Sequence, residues 1–344
     1  MHEHKLGNSS WSDDFVHRDP ARRALSLIIQ IPCFNESATL PATLADLPKQ
    51  VPGFSSVKVL VVDDGSSDGT AEIAGDHGAD YVVVHKSNRG LARAFRTGLD
   101  TAINLGADVI VNTDGDNQYV GADVAMLVKP IVDGTAEFVI GDRQTDSVSH
   151  FSFRKKILQK VGSSIVRLLS GTEVPDAVSG FRAFSREAAI ELNIISSFSY
   201  TIETVIQAGA KKIAISSVPI RTNPTTRESR LFKSIPQFVG KSVVTIVCMY
   251  AMYKPIHVFL CLGFFLTTIG SLPIIRFLYF VSIGDSEGHV QSLVLGGVFL
   301  LLGCLSCFAG LLAHLIACNR QLLELCLFKA RNTELAIRNA QRHE

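Results

Sequence analysis

The most specific chemical pattern in the sequence is a pair of acidic residues two positions apart. Residues 112–118 read Asn-Thr-Asp-Gly-Asp-Asn-Gln and follow directly on the apolar residues 109–111. Mg²⁺ and Mn²⁺ prefer oxygen ligands and are commonly held by one or two carboxylates together with the phosphates of a substrate. Asp114 and Asp116 are therefore predicted to bind a divalent metal. The tripeptide alone also fits an ordinary turn, so the prediction depends on its neighbours.

Acidic residues end two further predicted strands. Asp63 and Asp64 follow the apolar run 57–62 and precede Gly-Ser-Ser-Asp-Gly-Thr, while Glu36 closes the segment Pro-Cys-Phe-Asn-Glu. An aspartate at such a position can accept hydrogen bonds from a base or a ribose. The glycines that follow it allow the backbone to turn tightly into a helix. Three acidic strand ends in one sheet predict one shared pocket.

The segments that must position these residues alternate between strand and helix patterns. Short apolar runs at 25–31, 57–62, 81–84, 108–111 and 137–140 are separated by amphipathic stretches at 38–47, 91–105 and 122–132. Continuous apolar runs are typical of parallel strands covered on both faces, and their alternation with helices predicts a βαβ series. Ligands of such sheets bind beyond the carboxyl ends of the strands, where the acidic residues fall.

The C-terminal third predicts a membrane hairpin. Residues 256–275 carry no formal charge and would span about 30 Å as a helix, which matches the hydrocarbon thickness, and residues 290–313 repeat this feature. A pair of buried core helices is the alternative. Residues 231–255 show apolar positions at helical spacing with lysines among them, which predicts a helix lying along the membrane surface.

These patterns divide the chain into five parts. We expect a disordered tail at 1–24, a catalytic domain at 25–230, a juxtamembrane amphipathic helix at 231–255, a hairpin at 256–316 with spans at about 256–280 and 290–316, and a cytoplasmic helix at 317–344. Lysine and arginine flank the hairpin, while its loop carries Asp285 and Glu287. The positive-inside rule then places the catalytic domain and both termini in the cytoplasm, although Arg276 argues against it.

Taken together, the segments 32–36, 63–70, 88–90 and 114–118 resemble the successive motifs of family 2 glycosyltransferases. The resemblance runs from about residue 25 to residue 230. It is greatest to the enzymes that glycosylate polyprenyl phosphates such as dolichyl phosphate, which share the Ser-Gly-Phe-Arg of 179–182. It implies an α/β, Rossmann-like, mostly parallel GT-A domain, a nucleotide-sugar donor, a polyprenyl phosphate acceptor, and Mg²⁺ or Mn²⁺.

The resemblance also implies roles for single residues. Nucleotide contacts would fall on Pro32, Asn35, Glu36, Asp64, Asp114 and Gln118, and metal binding on Asp114 and Asp116. Catalysis is expected of Asp114 and Asp116, and also of Arg143 because of its position after a predicted strand end. The chain departs from the family at 227–230, where Arg-Glu-Ser-Arg replaces the usual Gly-x-Ser-Lys. The sole tryptophan is Trp11, so the Gln-x-x-Arg-Trp segment of polysaccharide polymerases is missing, and we expect no polymerase.

A basic clamp is predicted to bind the acceptor phosphate. It consists of Arg143, Arg154, Ser229 and Arg230, because the first follows a predicted strand end and the last directly precedes the membrane-surface segment. Charge-assisted hydrogen bonds of arginine suit a phosphate. If the acceptor were instead a hydroxyl of a glycerolipid, sphingolipid or glycan, a carboxylate base would be required, and Asp142 and Asp176 are candidates.

The sequence argues against two other classes of protein, nucleic-acid-binding proteins and non-catalytic scaffolds. A net charge of +1 disfavours a nucleic-acid-binding protein, since phosphate contact normally needs a concentrated basic surface. A non-catalytic membrane scaffold has no need for clustered acidic strand ends. The expected partners are therefore the donor, the acceptor and membrane lipid, and a homo-oligomer is left open.

Overall fold

A computed structural model gives the fold of the protein. It describes residues 24–144, 163–164, 166–167, 170–194, 200–224, 240, 244, 247–248, 250–284 and 289–341. Arg154, Ser229 and Arg230 of the predicted clamp lie outside the described residues. So do the loop residues Asp285 and Glu287, most of the predicted surface helix at 231–255, and nearly all of the predicted tail at 1–24.

Seven strands of the described chain form one sheet in the order β3-β2-β1-β4-β6-β5-β7. They are β1 (Leu25–Cys33), β2 (Phe54–Asp63), β3 (Tyr81–Val84), β4 (Val109–Asn112), β5 (Phe138–Asp142), β6 (Arg182–Ser185) and β7 (Ile215–Pro219). Strands β3, β2, β1 and β4 are parallel, and β7 is parallel to β5. Only β6 runs against its neighbours β4 and β5 among these strands. The predicted mostly parallel sheet is confirmed.

The helices α1 (Leu40–Asp46), α2 (Thr70–Asp76), α3 (Leu91–Asn104), α4 (Val124–Val132), α5 (Arg186–Glu191) and α6 (Tyr200–Lys211) accompany this sheet. Consecutive strand residues contribute to two separate apolar clusters. Ile28 and Ile110 belong to one, while Leu27 and Val109 belong to the other. Since successive side chains of a strand point to opposite faces, both faces of the sheet are covered. This is why the strands have continuous apolar runs.

In the described part of the chain, two helices are long and apolar enough to cross a membrane. They are α7 (Pro255–Ser282) and α8 (Val290–Gln341). Only 11% of the apolar window of α7 and 17% of that of α8 is buried inside the protein, so neither behaves as a buried core helix. Helix α8 continues without a break through residue 316, where the sequence analysis placed the end of the second span.

Glycines let α7 and α8 approach each other closely. A Cβ atom on Gly303 of α8 would lie 2.5 Å from Cγ2 of Thr267 and 2.9 Å from the carbonyl oxygen of Gly263, both on α7. A Cβ atom on Gly270 would likewise lie 2.9 Å from the carbonyl oxygen of Gly296. Small residues that bring backbones together are typical of membrane helix pairs, where van der Waals contact replaces the hydrophobic effect.

We expect Gly303→Leu to destabilise the hairpin by about 1–3 kcal/mol, because the added side chain must push α7 away. The matched control is Gly297→Leu on the same helix, since a Cβ atom at Gly297 would meet nothing within 4 Å. The measurement is the thermal unfolding midpoint of both variants in detergent. Equal midpoints would contradict this account of the helix contact.

Candidate active site

The acidic ends of three strands surround one buried thiol. Burial raises the pKa of Cys33 at the end of β1, and the charges of Glu36, Asp63 and Asp114 raise it further. A Cβ atom on Gly115 would lie 3.0 Å from Sγ of Cys33 and 3.4 Å from Cγ of Glu36, so the loop after β4 packs on the end of β1. The three acidic segments therefore meet at one edge of the sheet.

Asp114 and Asp116 lie in the loop that follows β4, and both are half-buried. Loss of hydration raises the pKa of Asp114 to about 7, and repulsion by Asp116 and Glu36 acts in the same direction, while Arg143 and Arg182 oppose it. Two carboxylates in such a setting cannot both remain ionised at low cost. A divalent cation between them would remove that cost, so the donor set fits Mg²⁺ or Mn²⁺.

Within the described residues, no group of three or more His, Cys, Asp or Glu side chains could hold a metal ion. Mg²⁺ at phosphate-bearing substrates is usually held by one or two carboxylates, with phosphate oxygens and water as the remaining ligands. Asp114 and Asp116 would provide the two carboxylates. The affinity for the ion would then depend on the position of each of them.

A glycine fixes the position of Asp114. A Cβ atom on Gly180 would lie 2.7 Å from Oδ2 of Asp114, so a larger residue there would displace this carboxylate. The amide of Gly180 donates a hydrogen bond to the hydroxyl of Tyr119 at 2.9 Å. Its carbonyl accepts one from the side-chain amide of Asn112 at 2.8 Å. Gly180 is therefore held from both sides against the carboxylate.

Arg182 holds the loop that contains Gly180. Its guanidinium is fully buried and donates to the carbonyl oxygens of Ser179 at 2.6 Å and Ala177 at 2.7 Å. It also donates to the carbonyl of Thr201 at 2.9 Å and to the hydroxyl of Thr204 at 2.5 Å, both on α6. The sequence analysis assigned Arg182 no role, because a single arginine gives no sign in the sequence that it will be buried.

Arg143, predicted to bind the acceptor phosphate, forms an ion pair with Asp176. Its Nε lies 2.7 Å from Oδ2 and its Nη2 lies 3.0 Å from Oδ1 of the carboxylate. Burial by itself would lower the pKa of Arg143, but Asp176 raises it above the ordinary value. An arginine has five N–H donors, so this pair leaves Arg143 able to bind a second anion.

The loop at 113–118, which carries Asp114 and Asp116 and is called the metal loop below, is also attached to the segment that follows β7. The backbone amide of Asn223 donates to the carbonyl of Gln118 at 2.8 Å, and its side chain donates to the carbonyl of Asn117 at 3.1 Å. Asn117 has a φ of 55°, a left-handed conformation that needs such support. The sequence analysis did not find Asn223, because the contact joins residues more than a hundred positions apart.

The predicted nucleotide residues occupy the ends of β1 and β2. Pro32 is buried in β1, opposite Val62 of β2. The amide of Asn35 donates to Oγ of Ser66 at 2.9 Å, and its side-chain oxygen accepts from the amide of Ser67 at 3.0 Å. Glu36 accepts from the hydroxyl of Thr39 at 2.9 Å. These contacts tie the two strand ends into one rigid rim.

The carboxylate of Asp64 is held by other residues of the protein. Its carboxylate lies 2.7 Å from Nδ1 of His85 and accepts from the amides of Arg89 at 3.0 Å and Gly90 at 2.7 Å. The side chain is 3% exposed. Asp64 thus fixes the segment 88–90 beside the rim, and any contact with a nucleotide would use the remaining acceptor capacity of its oxygens.

Comparison with known proteins agrees with this geometry. Residues 28–192 match the family described as glycosyl transferase family 2. The polyprenol monophosphomannose synthase of Mycolicibacterium smegmatis is 30% identical over 221 residues, which cover 61% of this chain and 82% of that protein.

The chain belongs to glycosyl transferase family 2.

A second family relative is the UDP-N-acetylglucosamine–dolichyl-phosphate N-acetylglucosaminyltransferase of Methanococcus voltae. It is 30% identical over 216 residues, which cover 56% of this chain and 83% of that protein. Among solved structures, glucosyl-3-phosphoglycerate synthase from Mycobacterium tuberculosis in complex with Mn²⁺, UDP and phosphoglyceric acid matches with a TM-score of 0.51 and 19% identity. That match covers 67% of this chain and 78% of that one, and it confirms the GT-A fold predicted for this family 2 member.

We expect Gly180→Ala to weaken Mn²⁺ binding roughly ten- to a hundredfold, because the added methyl group displaces the carboxylate of Asp114. The measurement is isothermal titration of Mn²⁺ in the presence of a nucleoside diphosphate. Gly75→Ala is the matched control, since a Cβ atom there would meet nothing within 4 Å. Asp116→Asn gives the Mn²⁺ affinity expected when one carboxylate ligand is lost. Wild-type affinity in Gly180→Ala would contradict the packing argument.

Proposed function

We propose that the protein transfers a sugar, with inversion, from a nucleotide-sugar donor to the phosphate of a polyprenyl phosphate such as undecaprenyl or dolichyl phosphate. The observation that carries the proposal is the placement of Arg143, which is half-buried, paired with Asp176 and close enough to Asp114 for its charge to act on that carboxylate. The names of the two relatives supply the acceptor class. The apolar helices α7 and α8 supply a route to a lipid acceptor.

The donor would lie along the rim formed by β1, β2 and β4. Pro32, Asn35, Glu36, Asp64 and Gln118 are proposed to contact the nucleotide, and Asp114 and Asp116 to hold the metal. When bound, Mg²⁺ or Mn²⁺ offsets the negative charge on the departing nucleoside diphosphate. Asp114 and Asp116 fix where that charge can develop, because Gly180 and Asn223 hold the loop that carries them.

The acceptor phosphate would approach from the side of Arg143. A phosphate monoester is mostly ionised near neutral pH, since its second pKa is about 6, so it needs no strong base to act as the nucleophile. The protein must instead bring two anions together. Arg143 offsets the charge of the acceptor, and Asp176 keeps the guanidinium oriented through two hydrogen bonds. Arg154, Ser229 and Arg230 remain proposed members of the same clamp.

Transfer to a hydroxyl is the second candidate, and the contacts of the two candidate bases disfavour it. Both oxygens of Asp176 accept hydrogen bonds from Arg143, which makes this carboxylate a weak proton acceptor. Asp142 accepts a hydrogen bond from the amide of Gln144 at 3.0 Å. The ion pair of Asp176 is the stronger argument, because one amide hydrogen bond leaves Asp142 further acceptor capacity.

The membrane arrangement proposed with this activity keeps the five parts expected from the sequence. The catalytic domain at 25–230 follows the tail at 1–24. The surface helix at 231–255 leads into the hairpin at 256–316, and the helix at 317–344 returns to the cytoplasm. An integral membrane protein with two spans and a cytoplasmic catalytic domain would place the sheet edge near the phosphates of the lipid.

We expect Arg143→Gln combined with Asp176→Asn to raise the KM for polyprenyl phosphate roughly ten- to a hundredfold, because charge-assisted hydrogen bonds to the phosphate are lost. The KM for the donor should change far less. Replacing both partners avoids leaving one buried charge unpaired. The matched control removes the exposed ion pair of α4, Lys129→Gln with Asp133→Asn.

The assay measures transfer of radiolabelled sugar from UDP- and GDP-sugars to undecaprenyl or dolichyl phosphate and to the corresponding neutral alcohols. If the alcohol serves as well as its phosphate, or if the acceptor KM is unchanged in the double variant, the phosphate acceptor is wrong and the hydroxyl acceptor replaces it.

A second expectation concerns the side of the membrane on which the loop between α7 and α8 lies. A cysteine introduced as Asp285→Cys, in a background without other exposed cysteines, should react with a membrane-impermeant maleimide in intact cells, because the positive-inside rule places the loop outside. Lys329→Cys is the control and should react only after permeabilisation. Labelling of the Asp285 position only after permeabilisation would reverse the proposed topology.

A further inference from the structure

Helix α8 is much longer than a membrane span. Its 52 residues form one helix of about 78 Å, whereas the hydrocarbon core of a bilayer measures about 30 Å. A large part of the helix must therefore lie outside the hydrocarbon. The sequence analysis expected this part, from residue 317, to be a cytoplasmic helix.

One side of this part of α8 faces the catalytic domain. Arg320, Glu324, Phe328 and Arg331 are half-buried, and they are spaced by four, four and three residues, while the described residues between them are exposed. Such spacing places side chains on one face of a helix. We call these four residues the docked stripe.

Charged and aromatic contacts hold the docked stripe in place. Oε2 of Glu324 lies 3.0 Å from Nζ of Lys211 on α6, and both side chains are less than one fifth exposed. The guanidinium of Arg320 lies 4.0 Å from the ring centre of Tyr253, a cation–π distance. The first of these contacts joins α8 directly to the catalytic domain.

The end of the docked stripe reaches two further helices. Nη1 of Arg331 donates to the carbonyl of Ile190 on α5 at 3.1 Å, and its Nη2 lies 3.7 Å from Asp100 on α3. Phe328 packs against the same apolar cluster that includes the buried residues of α3 and α6. The docked stripe therefore touches α3, α5 and α6, and a single rigid helix connects them to the membrane hairpin.

Two of the helices that the docked stripe contacts, α3 and α6, also support the candidate active site. Tyr200 of α6 accepts a hydrogen bond from Asn112 at 3.0 Å, and Thr204 of α6 binds Arg182. The ring of Tyr200 stacks on Phe95 of α3 at 3.9 Å. Asn112 and Arg182 in turn hold Gly180 and its loop against Asp114. The membrane hairpin and the metal loop are thus joined by continuous contacts.

We propose that the docked stripe is a brace that sets the height and tilt of the active site above the membrane, and that Glu324 and Arg331 are positioning residues for the lipid acceptor. The proposal rests on the function proposed above. A polyprenyl phosphate is confined to the membrane surface, so a catalytic domain free to tilt would meet its phosphate in the correct geometry less often. A soluble acceptor or the donor can reach the pocket in any orientation of the domain.

The kinetic test compares one acceptor in a membrane with one in solution. Glu324→Lys and Arg331→Glu should each raise the KM for undecaprenyl phosphate in liposomes by about tenfold, because a buried ion pair or hydrogen bond is replaced by repulsion. The KM for water-soluble geranyl phosphate and the KM for the donor should stay within about twofold, since neither substrate depends on the height of the domain. Glu324→Gln keeps a hydrogen-bond acceptor near Lys211, so its KM for undecaprenyl phosphate should lie between those of the wild type and Glu324→Lys. Lys329→Glu is the matched control, because it reverses an exposed charge on the opposite side of the same helix.

A second measurement follows docking without using activity. Hydrogen–deuterium exchange of the amides of 320–331 should accelerate about tenfold in Glu324→Lys and remain unchanged in Lys329→Glu, because docking protects the helix from opening. If exchange does not change, the docked stripe does not hold the helix and the proposal is wrong. If geranyl phosphate and undecaprenyl phosphate lose activity equally, the contacts support only folding and the proposal is also wrong. If the wild-type protein glycosylates neither phosphate, the proposed function fails, whereas accelerated exchange would still support the brace.

Discussion

The buried guanidinium of Arg182 organises most of the candidate site. Burial lowers its pKa to about 10, so the side chain remains protonated at neutral pH and must find acceptors inside the protein. It finds them in the carbonyls of the 176–180 loop and in the first turns of α6. Removing this side chain would leave those carbonyls buried without donors, at a cost of about 1–3 kcal/mol for each unsatisfied group. The loop conformation therefore depends on this one cation.

That loop places two functional groups at once. Asp176 at its start orients Arg143, while Gly180 near its end limits where the carboxylate of Asp114 can lie. The arginine proposed for the acceptor phosphate and the carboxylate proposed for the metal of the donor are thus positioned by the same few residues. Asn223 supports the opposite side of the metal loop, so the pocket is preorganised from both directions.

The two candidate membrane helices pack by different physics. Between α7 and α8 the contact depends on glycines, because in lipid only close backbone packing and hydrogen bonds favour association. Where α8 reaches the catalytic domain, charged and aromatic side chains replace the glycines, since there water competes for polar groups and apolar burial contributes again. One continuous helix joins the two environments and transmits the orientation of the hairpin to the enzyme domain.

The first five strands along the chain, the mostly parallel sheet, the acidic strand ends and the two apolar helices could all be predicted from the sequence. Each depends on local features, namely continuous apolar runs, residues that directly follow a strand, and uncharged stretches as long as a bilayer is thick. The proximity of Glu36, Asp63 and Asp114 also followed, because parallel strands end at the same edge.

Only the tertiary structure decided which polar side chains are engaged with one another. The sequence did not show that Asp176 pairs with Arg143, nor that Asp64 is surrounded by His85 and two backbone amides. The antiparallel strand β6, the buried Arg182 and the docking of Glu324 on Lys211 were equally hidden. The physical reason is the same in each case: a hydrogen bond or ion pair between residues far apart in the chain leaves no periodic trace in the sequence, and whether a charge is buried depends on what the rest of the fold places around it.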